Sequence, residues 1–267
     1  MQIRIGYEIE FEQKEAVPYV TLLKVRPEET SKLTLPEDYK VSPSLHVHDF
    51  SDGFGNRCSR FLAPAGKFSL SFENILEHNG LPDLYVPDAI QHPIEDLPDE
   101  ALPYLLGSRY CEVDELIPIA WELFGNTKPG WERVQAICDR VHSHVTYDYG
   151  RTHPRKTAKQ VYEDGGGVCR DFQHLAVTFC RCMNVPARYV SGFLGDIQFE
   201  PIPTPMDFHA WFQVYLGGMW FDFDARHNVP RVGRIAMTHG RDAVDVALTT
   251  SFGVSTLTKF EIIAEEV

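Results

Sequence analysis

The sequence is short of positive charge. Its 267 residues hold 25 lysines and arginines against 38 aspartates and glutamates, a formal net charge of −13 with histidine neutral. A chain so acidic lacks the broad basic face that binding to nucleic acid or anionic lipid requires, so neither partner is expected. No run of 18 apolar residues occurs, which removes a membrane-spanning helix from the expectations. The first residues, MQIRIGYEIEFEQ, alternate in polarity and lack the apolar stretch of a secretion signal. Cysteines stand at 58, 111, 138, 169, 180 and 182, with no CxxC pair and no zinc-site spacing. Free thiols in a reducing cytoplasm are therefore expected, with neither metal nor cofactor. No internal repeat or low-complexity tract interrupts the chain. Apolar residues make up 43% of it, enough for a sizeable core without covalent staples.

What is present divides by periodicity. Ile3, Ile5, Tyr7, Ile9 and Phe11 alternate with polar or small residues, the period of a half-buried strand. YVTLLKV (19–25), SLHVHDF (44–50) and KFSLSFENILEH (67–78) read as further strands, with DGFGN (52–56) as a turn. These predict an N-terminal β-sandwich over 1–90. A stretch carrying Pro82, Pro87, Pro93, Pro98 and Pro103 then reads as a linker. Helical patterns follow: VDELIPIAWELFG with Gly125 as C-cap, KPGWERVQAICDRVHSHV, and TAKQVYED capped by Thr157. Strands return at 187–194, 209–216, 219–224 and 257–266. The order of strands, helices and strands predicts an α+β catalytic unit over 91–267.

The most informative stretch is DGGGVCRDFQHLAVTF (164–179). Three glycines permit a tight turn, and an apolar stripe of helical spacing begins at once: Val168, Phe172, Leu175, Ala176, Phe179 and Met183. Cys169 falls in the first turn of that helix. Free backbone N–H groups there favour a thiolate and can also hold an oxyanion beside the sulfur. A nucleophilic thiol needs a base, and the base needs an orienting group.

DFHAWFQVYLGGMWFDFDAR (207–226) offers both. Gly217-Gly218 is a favoured two-residue hairpin turn, so Leu216 opposes Met219 and Trp211 opposes Asp224. Alternation puts His209, Trp211, Asp222 and Asp224 on one face. His209 and Asp224 become diagonal neighbours, within reach of a hydrogen bond.

At these residues the chain resembles the transglutaminase-like superfamily of papain-type thiol enzymes, in its bacterial branch with a preceding β domain. The matching blocks are GVCRDF (167–172), VPARYVSGF (185–193), HAW (209–211) and WFDFD (220–224), with LLGSRYCEVDEL (105–116) and GRDAVDV (240–246) flanking them. The resemblance implies a papain-like core of helices on an antiparallel sheet or barrel. It also implies Cys169 as nucleophile, His209 as base and Asp224 as orienting acid. After that aspartate the family pattern has proline and a small polar residue, whereas this chain has Ala225 and Arg226. The implied activity is attack on an amide or peptide carbonyl through an acyl-thioester. Hydrolysis of a peptide or protein substrate is the first expectation and transfer to an amine the second. A peptide-binding module without catalysis is the reading from another class.

Other residues carry plainer expectations. Arg170 and Asp171 read as a salt bridge or cap, and His174, Cys180 and Cys182 as packing. Tyr147 is a candidate oxyanion donor with packing as its other role. Trp211 is either a wall of the site or a core aromatic. His142 and His144 stand two apart on a helix, point apart, and do not make a metal site with His153.

Overall fold

The computed structural model describes residues 1–200 and 206–267. The first part is built from β1 (Gln2–Gln13), β2 (Val17–Thr21), a single helical turn α1 (Pro27–Thr30), β3 (Lys40–Ser42), β4 (His48–Ser51), β5 (Arg57–Ala63) and β6 (Gly66–Glu77). The alternation read in β1 is real: Ile3, Ile5, Tyr7, Ile9 and Phe11 are all buried. The DGFGN turn joins β4 to β5. Asp52 Oδ1 accepts the backbone N–H groups of Phe54 and Asn56, an Asx-type closure.

The second part holds α2 (Val113–Phe124), α3 (Trp131–His144), β7 (Thr146–Tyr147), α4 (Ala158–Asp164), β8 (Gly166–Gly167) and α5 (Cys169–Cys182). It continues with β9 (Ala187–Phe193), β10 (His209–Leu216), β11 (Met219–Phe223) and β12 (Ile235–Gly240). Two further strands, β13 (Thr249–Ser251) and β14 (Thr256–Glu266), end the chain. Between the parts, residues 78–112 hold short 3₁₀ turns at Ile94–Asp96 and Asp99–Leu105 and a lone bridge from Pro82 to Val232, with prolines spaced too closely for longer elements.

Strand pairing crosses the boundary suggested at residue 90. One antiparallel sheet has the order β14-β1-β6-β3 and another β13-β2-β5-β4. Both N-terminal sheets thus take an edge strand from the chain's last twenty residues, so 91–267 is not one contiguous unit of pairing. Hydrogen bonding is long-range information: nothing local in TLTKFEIIAEE names β1 as its partner. The two sheets share a core in which Tyr19 packs edge-on to Phe68 at 4.8 Å between ring centroids.

That core continues into the third sheet, β11-β10-β9-β12, through Phe193, Phe208, Ile235 and Met237. On its other side the third sheet packs against α5, whose residues from Asp171 to Cys182 are all buried. Each large apolar side chain so buried contributes roughly 1.5–3 kcal/mol, so Phe172, Leu175 and Phe179 fix the helix firmly. The buried Arg181 on α5 is also answered. The Arg181 guanidinium donates to the carbonyl oxygens of Ala187, Leu106 and Arg241. The result is a mixed α/β architecture with antiparallel sheets and one central helix.

Candidate active site

The start of α5 is set by the glycines. Gly165 is the left-handed C-cap of α4, with φ +65°. Gly167 has φ +155°, and a Cβ there would lie 2.6 Å from Cβ of Asp171, so no larger residue fits. Gly166–Gly167 also pairs in parallel with Thr146–Tyr147, which brings Tyr147 beside the loop. Lys156, 1% exposed, pins the turn from behind by donating to Gly166 O at 2.7 Å and to Asp164 at 2.6 Å. Asp171 caps the helix. Its Oδ2 accepts the backbone N–H of Val168 at 2.9 Å, and its Oδ1 pairs with Arg170 at 3.1 Å. The salt-bridge and capping expectation for these two residues holds.

The hairpin has the register that the turn rule requires. Leu216 opposes Met219 and Phe212 opposes Phe223. His209 Nε2 meets Asp224 Oδ2 at 2.9 Å, both groups buried. Since the carboxylate accepts, Nε2 carries the hydrogen and Nδ1 is the basic nitrogen. Cys169 and His209 line one cleft of ≈ 440 Å³, with Tyr147, Asp207, Arg226 and His227 among its other walls. The Cys169 side chain packs against Ala210, Tyr189 and Val246.

Asp224 is more heavily supported than the hairpin alone predicts. Its Oδ1 accepts from Gln173 Nε2 at 2.8 Å, from Arg226 N at 2.9 Å and from His227 N at 3.2 Å. Its Oδ2 accepts, besides His209, from His227 Nδ1 at 3.0 Å and from Arg234 at 3.3 Å. Burial pushes the carboxyl up, but His209, His227 and Arg234 together outweigh it and hold Asp224 well below the usual carboxylate range. Arg234 in turn binds Asp83 at 2.9 Å, from the proline-rich segment. Gln173 and His227 left a faint trace in the sequence. Gln173 is four residues after Cys169 on a helix, and His227 three after Asp224. Arg234 and Asp83 left none.

Charge states follow from burial. Desolvation brings His209 down to about 4 despite Asp224 beside it, so the ring is neutral at pH 7. Burial also pushes the Cys169 thiol up to about 11, while Arg226 and the backbone amides of Ala210 and Arg170 pull it down. The helix start therefore does not by itself make a thiolate. The resting pair is a thiol and a neutral imidazole.

Trp211 is a supporting residue and not a wall. It is 1% exposed, its Nε1–H donates to Asp222 at 2.7 Å, and it is absent from the cleft lining. Its ring lies beside His209, at 6.5 Å between centroids, and fixes that ring from behind. Tyr147 does line the cleft, with the Arg226 guanidinium 4.0 Å from its ring centroid. His174 is buried, its Nε2 accepting from the Ala243 N–H at 3.2 Å. Cys180 and Cys182 are buried, and all six cysteines are free. His142 and His144 bind separate backbone carbonyls, those of Arg226 and Tyr162. His209, Asp224 and His227 do present ligand atoms within 4.8 Å of one another. Those atoms are engaged in the hydrogen bonds just described, and the Arg234 charge beside the carboxylate opposes a cation.

The family model described as "Transglutaminase-like superfamily" matches residues 118–225, which span Cys169, His209 and Asp224. Residues 118–225 thus match a transglutaminase-like domain. A crystal structure of a "Putative Cysteine Protease" from Cytophaga hutchinsonii superposes with a TM-score of 0.84 and 29% identity, covering 99% of this chain and 90% of that one. An uncharacterized protein of Mycobacterium leprae is 33% identical over 117 residues, 43% of this chain and 42% of its own length. The chain thus aligns with less than half of that relative. An uncharacterized protein of Mycobacterium bovis is 26% identical over 217 residues, 73% of this chain and 68% of its own. Among the described residues, no helix is long and apolar enough to cross a membrane.

Proposed function

We propose that the protein is a cysteine peptidase or amidase with Cys169, His209 and Asp224 as its catalytic triad. The observation that carries this reading is the 2.9 Å bond from His209 to Asp224 in the cleft that also holds the Cys169 thiol at a helix start. The preceding sheets are read as a β-sandwich that buttresses the catalytic core, and the free cysteines fit a cytoplasmic setting.

In the proposed reaction His209 Nδ1 takes the thiol proton as sulfur adds to the amide carbonyl carbon. The Cys169 backbone N–H holds the oxyanion, with the Tyr147 hydroxyl as a side-chain candidate. The C–N bond then breaks, and the imidazolium gives its proton to the departing amine. A thioester remains on Cys169. Water adds to it, losing a proton to His209, and collapse releases the carboxylic acid and restores the thiol. Asp224 stays ionised throughout and holds the ring in the Nε2–H tautomer.

Transfer to an amine is the second reading. Asp207, Glu265 and Glu266 line the cleft, and their charge favours approach of a protonated amine. A screen of peptides and simple amides, with Cys169→Ala as control, tests the first reading. Turnover that survives Cys169→Ala overturns it. Adding a primary amine and measuring product partition separates hydrolase from transferase. No turnover of any substrate by intact protein would leave the peptide-binding module as the better account.

A further inference from the structure

Arg226 is unusual in its surroundings. The chain has a large excess of carboxylates, yet no described carboxylate lies within ion-pair distance of this guanidinium, and no described residue accepts a hydrogen bond from it. Arg231, in the same cleft, is paired with Asp196 at 3.2 Å. Arg226 is nonetheless held in place. Its backbone N–H donates to Asp224 at 2.9 Å, its carbonyl accepts from His142 at 2.8 Å, and its guanidinium lies over the Tyr147 ring at 4.0 Å. A stacked arginine keeps its N–H edge free while losing rotamer freedom, which prepares it for a planar anion. The same group lines the cleft with Cys169 and His209.

We propose that Arg226 is the specificity residue of this site: it binds a carboxylate of the substrate close to the scissile carbonyl. This rests on the cysteine hydrolase reading above. The fork of a guanidinium matches a carboxylate in two parallel hydrogen bonds, and the unoccupied edge beside the nucleophile is where such a group would dock. The preferred substrates are peptides with a free C-terminal carboxylate, or an Asp or Glu side chain, next to the bond attacked.

Cys169 itself supplies a probe, because iodoacetate carries a carboxylate and iodoacetamide does not. The measurement is the ratio of alkylation rates at Cys169, by mass spectrometry, for intact protein and for Arg226→Gln. A charge-assisted bidentate contact predicts a ratio at least about tenfold higher in the intact protein, with saturable iodoacetate kinetics. Any change in thiol acidity on removing Arg226 affects both reagents alike and cancels. Equal ratios in the two proteins overturn the proposal.

Binding without chemistry gives the second arm. In folded Cys169→Ala protein, the Arg226 Nε–H resonance is followed while N-acetylated dipeptides are added. One set carries a free C-terminus, and another is amidated with Asp or Glu side chains. Fully amidated neutral dipeptides are the control. A shift with one carboxylate set identifies the source; shifts equal to those of the neutral control overturn the proposal. Failure of Cys169 to alkylate selectively, with the Arg226 shift intact, would count against the catalytic reading and leave the carboxylate site standing.

Discussion

Replacing Asp224 by asparagine is the sharpest perturbation, because the surrounding hydrogen bonds dictate how the amide must sit. Oδ1 accepts from three donors, two of them backbone N–H groups that cannot turn away. Putting the amide nitrogen there would face three donors with another donor, each clash costing about 1–3 kcal/mol. The amide oxygen therefore keeps the Oδ1 place, and the NH₂ takes the place of Oδ2. There it meets His209 Nε2, which must now accept. The ring hydrogen moves to Nδ1, and the nitrogen that should take the thiol proton no longer can. The same exchange in a serine-protease triad lowers kcat by about 10⁴ through the same tautomer switch, equivalent to ~5.4 kcal/mol of barrier. We expect a fall of about 10³–10⁴ in kcat with KM nearly unchanged, measured on the best substrate from the peptide screen. Nitrogen-15 NMR of the histidine ring should report Nε2–H in the intact protein and Nδ1–H in the variant. Retention of more than about a tenth of the activity, or an unchanged tautomer, would refute the reasoning.

Other consequences are separately measurable. His209 must be neutral to act as base and is held down to about 4, so kcat/KM should fall only as pH drops through about 4; a midpoint at the ordinary histidine value of about 6.5 would contradict the buried site. His174 is brought down to about 3 by burial, so the unfolded chain takes up its proton first on acidification. Stability should drop from pH 6.5 downward by about 1.4 kcal/mol per pH unit for this residue, and His174→Gln should flatten the urea-measured slope by that amount. Parallel slopes would exclude it. Lys156→Met removes the buried ammonium that ties Gly166 O to Asp164, and should cost about 1–3 kcal/mol in denaturant melts for the carbonyl acceptor left unmet, the half-exposed Asp164 being rehydrated. Deleting Thr256–Val267 uncovers β1 and exposes the buried Ile262 and Ala264; from these two side chains alone a loss of roughly 2–4 kcal/mol is expected, and an unchanged melting curve would show that β14 is dispensable.

Local rules set a good deal of this protein. Side-chain alternation and the Gly217-Gly218 turn together fix the register of β10 and β11, and with it the meeting of His209 and Asp224. The glycines and the apolar stripe place Cys169 in the first turn of α5, because helix entry depends on nearby residues. Periodicity could not say that β13 and β14 return to complete the first two sheets, since pairing partners more than two hundred residues apart leave no local mark. Nor could it bring Arg234 and Asp83 under the carboxylate, or keep Trp211 out of the cleft that His209 lines. The acidity of Cys169 was likewise decided in three dimensions. The helix start favours a thiolate, yet the packing of Tyr189, Ala210 and Val246 around the sulfur withdraws it from water. Sequence determined which groups could meet; tertiary burial decided that Cys169 and His209 rest neutral beside an ionised Asp224, and that Arg226 lines the cleft with no ion-pair partner among the described residues.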